Sequence, residues 1–392
     1  MTTLEALRDA VADAAGPAEI ELAPGTYRGD LRVRRPVSIR GADGTVLEGS
    51  GAGTVVNIEA NDVTLDNLVV RRSGRRHTAE DAGIRASGER IKVTHVRVED
   101  TLFGVSFQAC HDCLLEAAHV SGAGDEAELR GDGIKLWESH GTVVRGCLVE
   151  RSRDLVVWYT RRAVIEDNAV RGGRYGTHFM YAHDSVLRRG RFEGNVVGVF
   201  VMYSLRLRVE DSLLAGARGA AGIGLGFKDS DAVDVRGNWM VGNTTGVYLD
   251  NSPRTAAEPV TLDGNVFALN DVAARLHGSG AGLRLRGNDF RNNAALLEVG
   301  GGGDALAVEA RGNHFSDYEG YDLDGDGVGD VAYELKALSS ELVESRPSLK
   351  FFRGTGAMAA IDAVARAVPV LASKRLFVDP TPLVRGPEMT EP

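Results

Sequence analysis

The sequence has 392 residues and a mass of 41.8 kDa, and its 45 basic and 55 acidic side chains give a net charge of -10. A net acidic surface repels a phosphate backbone, so nucleic acid is excluded as the expected partner. Only three cysteines are present, so disulfides are not expected to carry the fold. No signal peptide is visible at the N-terminus, and the longest apolar run, at about 356–373, is too interrupted by charge to span a membrane.

The first predicted element is a short amphipathic helix. Thr2 and Glu5 have the spacing of a capping box, and Leu4, Leu7 and Val11 recur at helical intervals. From residue 20 to about residue 315 the pattern changes to short strands of about five residues, in which apolar and polar positions alternate between turn residues. The sequence therefore predicts an all-β body after one helix.

Gly-led segments in this body recur every 21 to 29 residues, or at about twice that interval where one lacks its glycine. They begin at Gly83, Gly104, Gly133, Gly176, Gly198, Gly222 and Gly246. A second series of turns, each completed by an asparagine, keeps the same phase at Asp167, Gly194, Gly237, Gly264, Gly287 and Gly312. Gly and Asn both tolerate the left-handed backbone expected at corners. The period predicts a right-handed parallel β-helix and disfavours a sandwich or a propeller.

Four regions follow from this pattern: an N-terminal cap helix at 1–18, the β-helix at 19–316, an Asp-rich loop at 317–334 and a helical and extended C-terminal tail at 335–392. We expect the tail to bind a partner through Phe351, Phe352, Met358 and Ile361. A tail that only caps the solenoid is the alternative.

Two segments near the middle of the chain, 176–181 and 198–203, read almost alike at a spacing of 22 residues. Strand alternation sends Met180 and Met202 to the outer face, in one column with Trp137 and Trp158. Exposed apolar residues are normally scattered singly, so a column of this kind indicates a site or an interface. Trp137 and Trp158 are the predicted partner-binding residues of this face.

Soft thioether sulfurs favour Cu(I), and imidazole is an acceptable companion ligand. Met180, Met202 and His178 share the predicted outer face, and His183 follows at the corner. We therefore predict a Cu(I) site formed by these four residues. A surface that packs against a loop or a partner without metal is the alternative.

Carboxylates alternate in the Asp-rich loop at Asp322, Asp324 and Asp326, and Asp330 follows. Such spacing with glycine at the turn can surround Ca²⁺, although Tyr333 stands where the EF-hand loop has its glutamate. We predict a structural calcium site. An Asp/Gly turn satisfied by its own backbone remains the alternative.

Two further clusters carry weaker signals. Cys110 and Cys113 have the spacing of a redox or metal pair, but no second pair completes a zinc site, so small buried residues are expected, as for Cys147. Asp132, Asp154 and Lys135 are the acids and base that a lyase or epimerase on this fold could use. Acids at coil corners usually cap turns, so no catalytic residue is predicted.

The chain resembles the NosD family, the β-helical maturation proteins for nitrous oxide reductase. The most specific match is residues 312–330, with support from residues 178–181, 200–203 and 226–231, from Arg346 and Pro347, and from residues 378–380. Phe315 stands where the family usually has Trp, and Ala332 where it usually has Pro.

The resemblance implies a non-catalytic periplasmic factor that passes copper toward the reductase. Its implied partners are the permease and ATPase subunits of an ABC transporter, a copper-donating lipoprotein and nitrous oxide reductase itself, so membrane association would come through partners only. The alternatives are a polysaccharide lyase or epimerase and a metal-free scaffold or adhesion module, because one solenoid hosts many functions.

Overall fold

The protein is described here by a computed structural model that covers residues 1–123, 129–336, 342, 346–352, 355–367 and 375–392. The chain is nearly all β and forms a parallel β-solenoid of about 13 turns with a short N-terminal helix. It comprises two compact units, Met1–Val196 and Val197–Pro392. The predicted fold class is confirmed.

In the first unit each turn contributes short strands to three parallel sheets, called A, B and C. Sheet A contains Glu19–Leu22, Val37–Gly41, Val63–Asp66, Lys92–Thr94, Leu114–Glu116, Val143–Arg145, Val164–Glu166 and Val186–Arg188. Sheet B contains Gly25–Arg28, Thr45–Glu48, Val69–Arg71, Arg97–Thr101, His119–Gly122, Leu148–Glu150, Ala169–Arg171 and Arg191–Glu193. Sheet C contains Leu31–Val33, Val56–Glu59, Ala82–Glu89, Phe103–His111, Ile134–Trp137, Asp154–Trp158 and Tyr175–Met180. A 3₁₀ turn at His77–Ala79 interrupts the connection before the third strand of sheet C.

The N-terminal helix Leu4–Ala12 covers the first turn with its apolar face. Leu4, Leu7 and Val11 are buried, as their spacing predicts. The N-cap is Thr3, whose side chain accepts the backbone N–H of Ala6 at 3.2 Å, so the predicted capping box at Thr2 begins one residue too early. The helix shields the open end of the solenoid, where unpaired strands would otherwise bind other chains.

Apolar residues of successive turns stack in register inside the first unit. In sheet C, Phe107, Leu136, Val157 and Phe179 are direct partners along one interior column, and all four are fully buried. Side chains alternate along a strand, so the neighbouring residues of the same strands must face outward. Interior packing therefore fixes which residues sheet C presents on its outer face.

The second unit repeats this arrangement with five strands in each sheet. Sheet A contains Arg208–Glu210, Val233–Arg236, Val260–Asp263, Leu283–Arg286 and Glu309–Arg311. Sheet B contains Leu213–Ala215, Trp239–Val241, Val266–Ala268, Asp289–Arg291 and His314–Phe315. Sheet C contains Val197–Met202, Ile223–Lys228, Thr245–Asp250, Val272–His277 and Leu297–Gly300, and a 3₁₀ turn at Ala305–Ala307 follows it.

The asparagines of the predicted turn series form a buried ladder. In the second unit the side-chain oxygen of Asn265 accepts the backbone N–H of Asn238, and Asn288 and Asn313 continue the pattern at 2.9 to 3.0 Å. The left-handed backbone falls instead on the preceding glycines, such as Gly264 with φ 61° and Gly287 with φ 59°. Of the two residue types that tolerate this conformation, glycine adopts it at these corners, and the buried asparagine amide satisfies the otherwise unpaired corner backbone.

The C-terminal region returns to the solenoid. Strand Phe377–Asp379 pairs antiparallel with Tyr333–Leu335, and the buried Asp379 accepts the backbone and side-chain N–H groups of Asn313, which closes the ladder. The two strands therefore lie side by side although 41 residues separate them in sequence. We call the described residues 346–352 and 355–367, which lie between these strands in the sequence, the arm.

The arm contains a 3₁₀ turn, Pro347–Phe352, and a helix, Gly356–Ala367. Of the predicted partner-binding residues, Phe351 is 91% exposed and Phe352 is also exposed, whereas Met358 is buried and Ile361 half-buried. A phenyl ring exposed to this degree makes almost no packing contact with the part of the chain that the structure describes. Within the described residues, no helix has both the length and the hydropathy needed to cross a membrane.

Candidate functional site

The outer face of sheet C in the first unit carries the column predicted from the sequence. Trp137 pairs with Trp158, and Trp158 pairs with Met180, so the three residues lie on successive turns at one position. Thr177 and Phe179 are fully buried in the interior, which leaves His178 and Met180 on the outer face. All three column residues are half-buried and reach solvent.

Two tyrosines extend this column sideways. Tyr159 and Tyr181 each follow a strand of sheet C, and their rings stack at 5.2 Å. Tyr159 also packs on Trp137, with ring centroids 4.9 Å apart. Trp137, Trp158, Tyr159 and Tyr181 are called the aromatic platform.

The tyrosines of the platform adopt a backbone conformation that their residue type disfavours. Tyr159 and Tyr181 have φ of 52° and 50°, in the left-handed region. The same corner of the second unit holds Tyr203 at φ 51° and Asp229 and Asn251 at φ 47°, so the left-handed backbone recurs along the repeat, and only Asp and Asn accept it readily. A bulky residue there costs about 1 kcal/mol or more, and such strain is typical of functional positions.

His178 lies beneath the platform rather than on an open surface. Its side chain stacks on Tyr175 at 4.7 Å and meets Trp158 edge to face at 5.4 Å, so only 6% of the residue is exposed. Burial lowers its pKa to about 4, and the Arg174 charge acts in the same direction while Asp154 opposes it. His178 points away from the interior, as expected. It is not accessible to solvent, however, because the rings of Tyr175 and Trp158 cover it.

The proton of His178 has a defined position. Its Nδ1 accepts the indole N–H of Trp158 at 3.3 Å, so the proton of the neutral ring sits on Nε2. That Nε2 is buried and finds no hydrogen-bond partner among the described residues. An unsatisfied buried donor costs roughly 1 to 3 kcal/mol. His178 could bind a metal through Nδ1 only if Trp158 released it.

The other two predicted copper ligands, His183 and Met202, lie at a corner and at the end of a strand of sheet C. His183 is half-buried at the corner after Met180, where its backbone bridges that of Arg161. Met202 ends the strand Val197–Met202 of the second unit, whose Val199 and Val201 fill the interior. Their part in one site with Met180 stays a prediction.

No cysteine offers a thiolate for copper. Cys110 and Cys113 are joined in a disulfide, which the sequence did not predict because their spacing fits isolated buried residues equally well. Both are buried, as expected. Burial raises the pKa of the Cys147 thiol to about 12, so it stays protonated. The thioethers are therefore the available soft ligands.

The acids and base of the enzyme alternative are engaged in ion pairs. Asp132 accepts Arg153 at 2.9 Å, and burial raises the pKa of this aspartate. Asp154 pairs with Arg174. Lys135 is buried and forms an ion pair with Glu80, which follows the 3₁₀ turn His77–Ala79. The three side chains that a lyase or epimerase would need therefore form ion pairs that connect successive turns and the loop.

The Asp-rich loop has features of both a calcium site and a turn satisfied by its own backbone. Carboxylate oxygens of Asp322, Asp324 and Asp326 lie within 4.8 Å of one another. Asp322 also accepts the backbone N–H groups of Gly325 and Gly327, which lower its pKa. Asp330 accepts the N–H of Leu323 and so turns toward its own loop. Convergent carboxylates suit Ca²⁺, but the calcium site stays a prediction.

The sequence of this chain matches one known protein family. The model of the family described as NosD, periplasmic copper-binding protein, matches residues 116–320. The chain belongs to the NosD family. A probable ABC transporter binding protein NosD of Pseudomonas aeruginosa is 29% identical and covers 95% of this chain and 89% of its own length. Its counterpart in Stutzerimonas stutzeri is 27% identical and covers 93% and 86%.

Two solved structures share the solenoid. The A-module of mannuronan C-5 epimerase AlgE6 from Azotobacter vinelandii has a TM-score of 0.54 at 15% identity, covering 78% of this chain and 94% of the module. A mannuronic acid specific polysaccharide family 6 lyase from human gut microbiota has a TM-score of 0.53 at 13% identity, covering 81% and 89%. At such identities the likeness concerns the fold alone.

The buried imidazole of His178 predicts an acid-sensitive stability in the metal-free protein. The unfolded chain binds this proton near pH 6.5, and the folded chain only near pH 4. The free energy of unfolding should therefore fall by up to about 1.4 kcal/mol per pH unit as the pH is lowered through this window. In urea unfolding, the free energy of unfolding of His178→Phe, relative to that of the wild type, should be roughly 3 kcal/mol higher at pH 4 than at pH 7.5. A pH profile parallel to the wild type would contradict the assignment, with the exposed His277→Phe as the control for loss of a histidine.

Calcium binding to the Asp-rich loop predicts a ligand-dependent stability. Saturation at about 100 times Kd should stabilise the chain by about 2.7 kcal/mol, visible as a rise in Tm. The double variant Asp324→Asn, Asp326→Asn should lose that rise, while Glu319→Gln, exposed nearby, should keep it. Identical melting curves of the wild type with Ca²⁺ and with chelator would eliminate the site.

Proposed function

We propose that this NosD-family chain is a non-catalytic periplasmic factor that receives and passes on copper during maturation of nitrous oxide reductase, in association with an ABC transporter. The observation that carries the proposal is the outer face of sheet C. There a solvent-reaching thioether, Met180, and a buried neutral imidazole, His178, whose Nδ1 lone pair accepts the Trp158 N–H, adjoin the aromatic platform. The family's copper binding and the relatives' names supply the support from homology.

The residues present fit copper as a cargo. Thioether and imidazole are accepted ligands of Cu(I), and the thiols that would hold it permanently are buried or oxidised. We assign Met180 and His178 as ligands and retain Met202 and His183 as candidates from the repeat. Neutral ligands leave the ion its positive charge, so an anionic thiolate or imidazole-rich site on a partner can take it over.

Two surfaces would serve the partners. The aromatic platform lies beside the proposed ligands, so a copper-donating lipoprotein or the reductase would approach there. The arm exposes Phe351 and Phe352 to solvent, and exposed aromatic rings of this kind are typical anchors at interfaces. We assign the arm to the transporter permease, with the ATPase subunit reached through it.

The periplasmic location agrees with the covalent state of the chain. The Cys110–Cys113 disulfide requires an oxidising compartment to persist. Cu(I) delivered in such a compartment depends on ligands that resist oxidation into disulfides, and thioethers meet that condition. The same argument disfavours a cysteine-based site on this chain.

Removal of the thioethers should weaken copper binding. In anaerobic competition with a chromophoric Cu(I) chelator, the double variant Met180→Ala, Met202→Ala should raise the Kd by about tenfold or more, since tenfold corresponds to only about 1.4 kcal/mol. Met389→Ala, also half-exposed, is the matched control and should bind as the wild type does. Unchanged affinity in the double variant would remove both methionines from the site.

The arm can be tested without disturbing the solenoid. Phe351→Ser with Phe352→Ser should abolish co-purification with the permease, because buried aromatic anchors are worth about 2 kcal/mol or more each in a complex. The Tm should not change, since both rings are exposed. Leu306→Ser, an exposed apolar residue outside the arm, is the control. A truncation after residue 350 is unsuitable because it would remove Asp379. Full recovery of the permease with the double variant would refute the assignment.

A further inference from the structure

The indole of Trp158 occupies the one position of His178 that a metal needs. Its N–H donates to His178 Nδ1 at 3.3 Å, and Nε2 carries the ring proton. A neutral imidazole has a single lone pair for coordination, and here it is Nδ1 that holds it. Copper and the Trp158 N–H therefore compete for the same electron pair.

Replacement of the Trp158 N–H by copper at His178 Nδ1 costs little free energy on the side of the lost hydrogen bond. A hydrogen bond of this kind contributes only a modest net free energy, because the indole N–H can bond water once released. Met180 is the direct strand partner of Trp158 and lies two residues from His178 on the same face. A Cu(I) ion first held by the thioether would therefore be close to the Nδ1 lone pair that Trp158 covers. Displacement needs no proton to leave the imidazole, since Nε2 keeps it.

Movement of Trp158 cannot be confined to His178. Its ring meets Trp137 edge to face, with centroids 6.0 Å apart, and Trp137 packs in turn on Tyr159. Tyr159 stacks on Tyr181. An indole that turns away from His178 changes its edge-to-face contact with Trp137, and through Trp137 the packing of the aromatic platform.

We propose that Trp158 gates His178, so that copper loading releases the indole and rearranges the aromatic platform. This inference rests on the proposed function and adds to it a means by which a partner distinguishes the loaded chain from the empty one. A copper donor would recognise the platform with Trp158 bonded to His178. An acceptor would recognise the platform with Trp158 released. Trp158 is a positioning residue in this scheme, and Met180 and His178 are the ligands.

The indole N–H itself reports the gate. The chain has three tryptophans, Trp137, Trp158 and Trp239. Their indole N–H resonances can be followed in ¹⁵N-labelled full-length protein and assigned with single Trp→Phe variants. On anaerobic addition of Cu(I), the Trp158 resonance should move to the position of an indole bonded to water, and the Trp137 resonance should shift less. Trp239, in the second unit, should stay unchanged as the internal reference.

The affinity of a variant gives an independent reading with a distinctive sign. Trp158→Phe keeps an aromatic ring but removes the competing N–H, so it should bind Cu(I) about two- to tenfold more tightly than the wild type. Trp239→Phe, which removes an indole of the second unit that lies outside the aromatic platform, should leave the affinity unchanged. A purely structural Trp158 would weaken binding when replaced.

The outcomes separate this inference from the function on which it rests. Copper binding with an unmoved Trp158 resonance, or weaker binding by Trp158→Phe, overturns the gate and leaves the proposed function in place. Absence of any Cu(I) binding by the wild type overturns both. A moved resonance with tighter binding by Trp158→Phe supports the gate.

Discussion

Register between successive turns is the constraint on which the rest of this structure depends. Parallel strands about 4.8 Å apart place each residue directly over its equivalent in the previous turn. A choice made at one position is therefore repeated as a column, as in the interior stack of Phe107, Leu136, Val157 and Phe179. The same geometry places Trp137, Trp158 and Met180 in line on the outside. The interior columns make the fold, and the outer column of the same strands makes the candidate site.

The corners show where structural and functional demands part. Glycines take the left-handed conformation at the corners that precede the asparagine ladder, and the buried amides of Asn265, Asn288 and their neighbours bond the backbone of the adjacent turns. After sheet C, by contrast, Tyr159 and Tyr181 occupy left-handed positions that suit smaller polar residues. The corner itself does not require a tyrosine, since Asp229 and Asn251 take the same conformation in the second unit, where Tyr203 takes it as well. The presence of tyrosine at positions 159 and 181 is therefore best explained by the ring contacts within the aromatic platform.

The sequence predicted those features that depend on period and alternation. The solenoid, the interior columns and the outward Trp and Met residues all follow from a repeat with strand alternation. It did not predict features that depend on contacts between side chains in three dimensions. The burial of His178 comes from Tyr175 and Trp158, the return of the chain depends on Asp379 reaching Asn313, and the Cys110–Cys113 bond depends on a corner that brings the two sulfurs together. Local spacing carries no signal for the first two, and for the cysteines it fits a redox or metal pair and isolated buried residues alike.

Copper handling on this face combines a ligand pair with a surface that senses it. Met180 offers a thioether in reach of solvent, and His178 offers one lone pair that Trp158 covers in the metal-free chain. The most direct test of the central claim is X-ray absorption spectroscopy of the Cu(I)-loaded full-length protein. The account predicts a mixed shell of thioether sulfur and imidazole nitrogen, with the sulfur contribution reduced in Met180→Ala and the imidazole contribution reduced in His178→Phe. A shell of nitrogen and oxygen alone, or one that neither substitution alters, would contradict it.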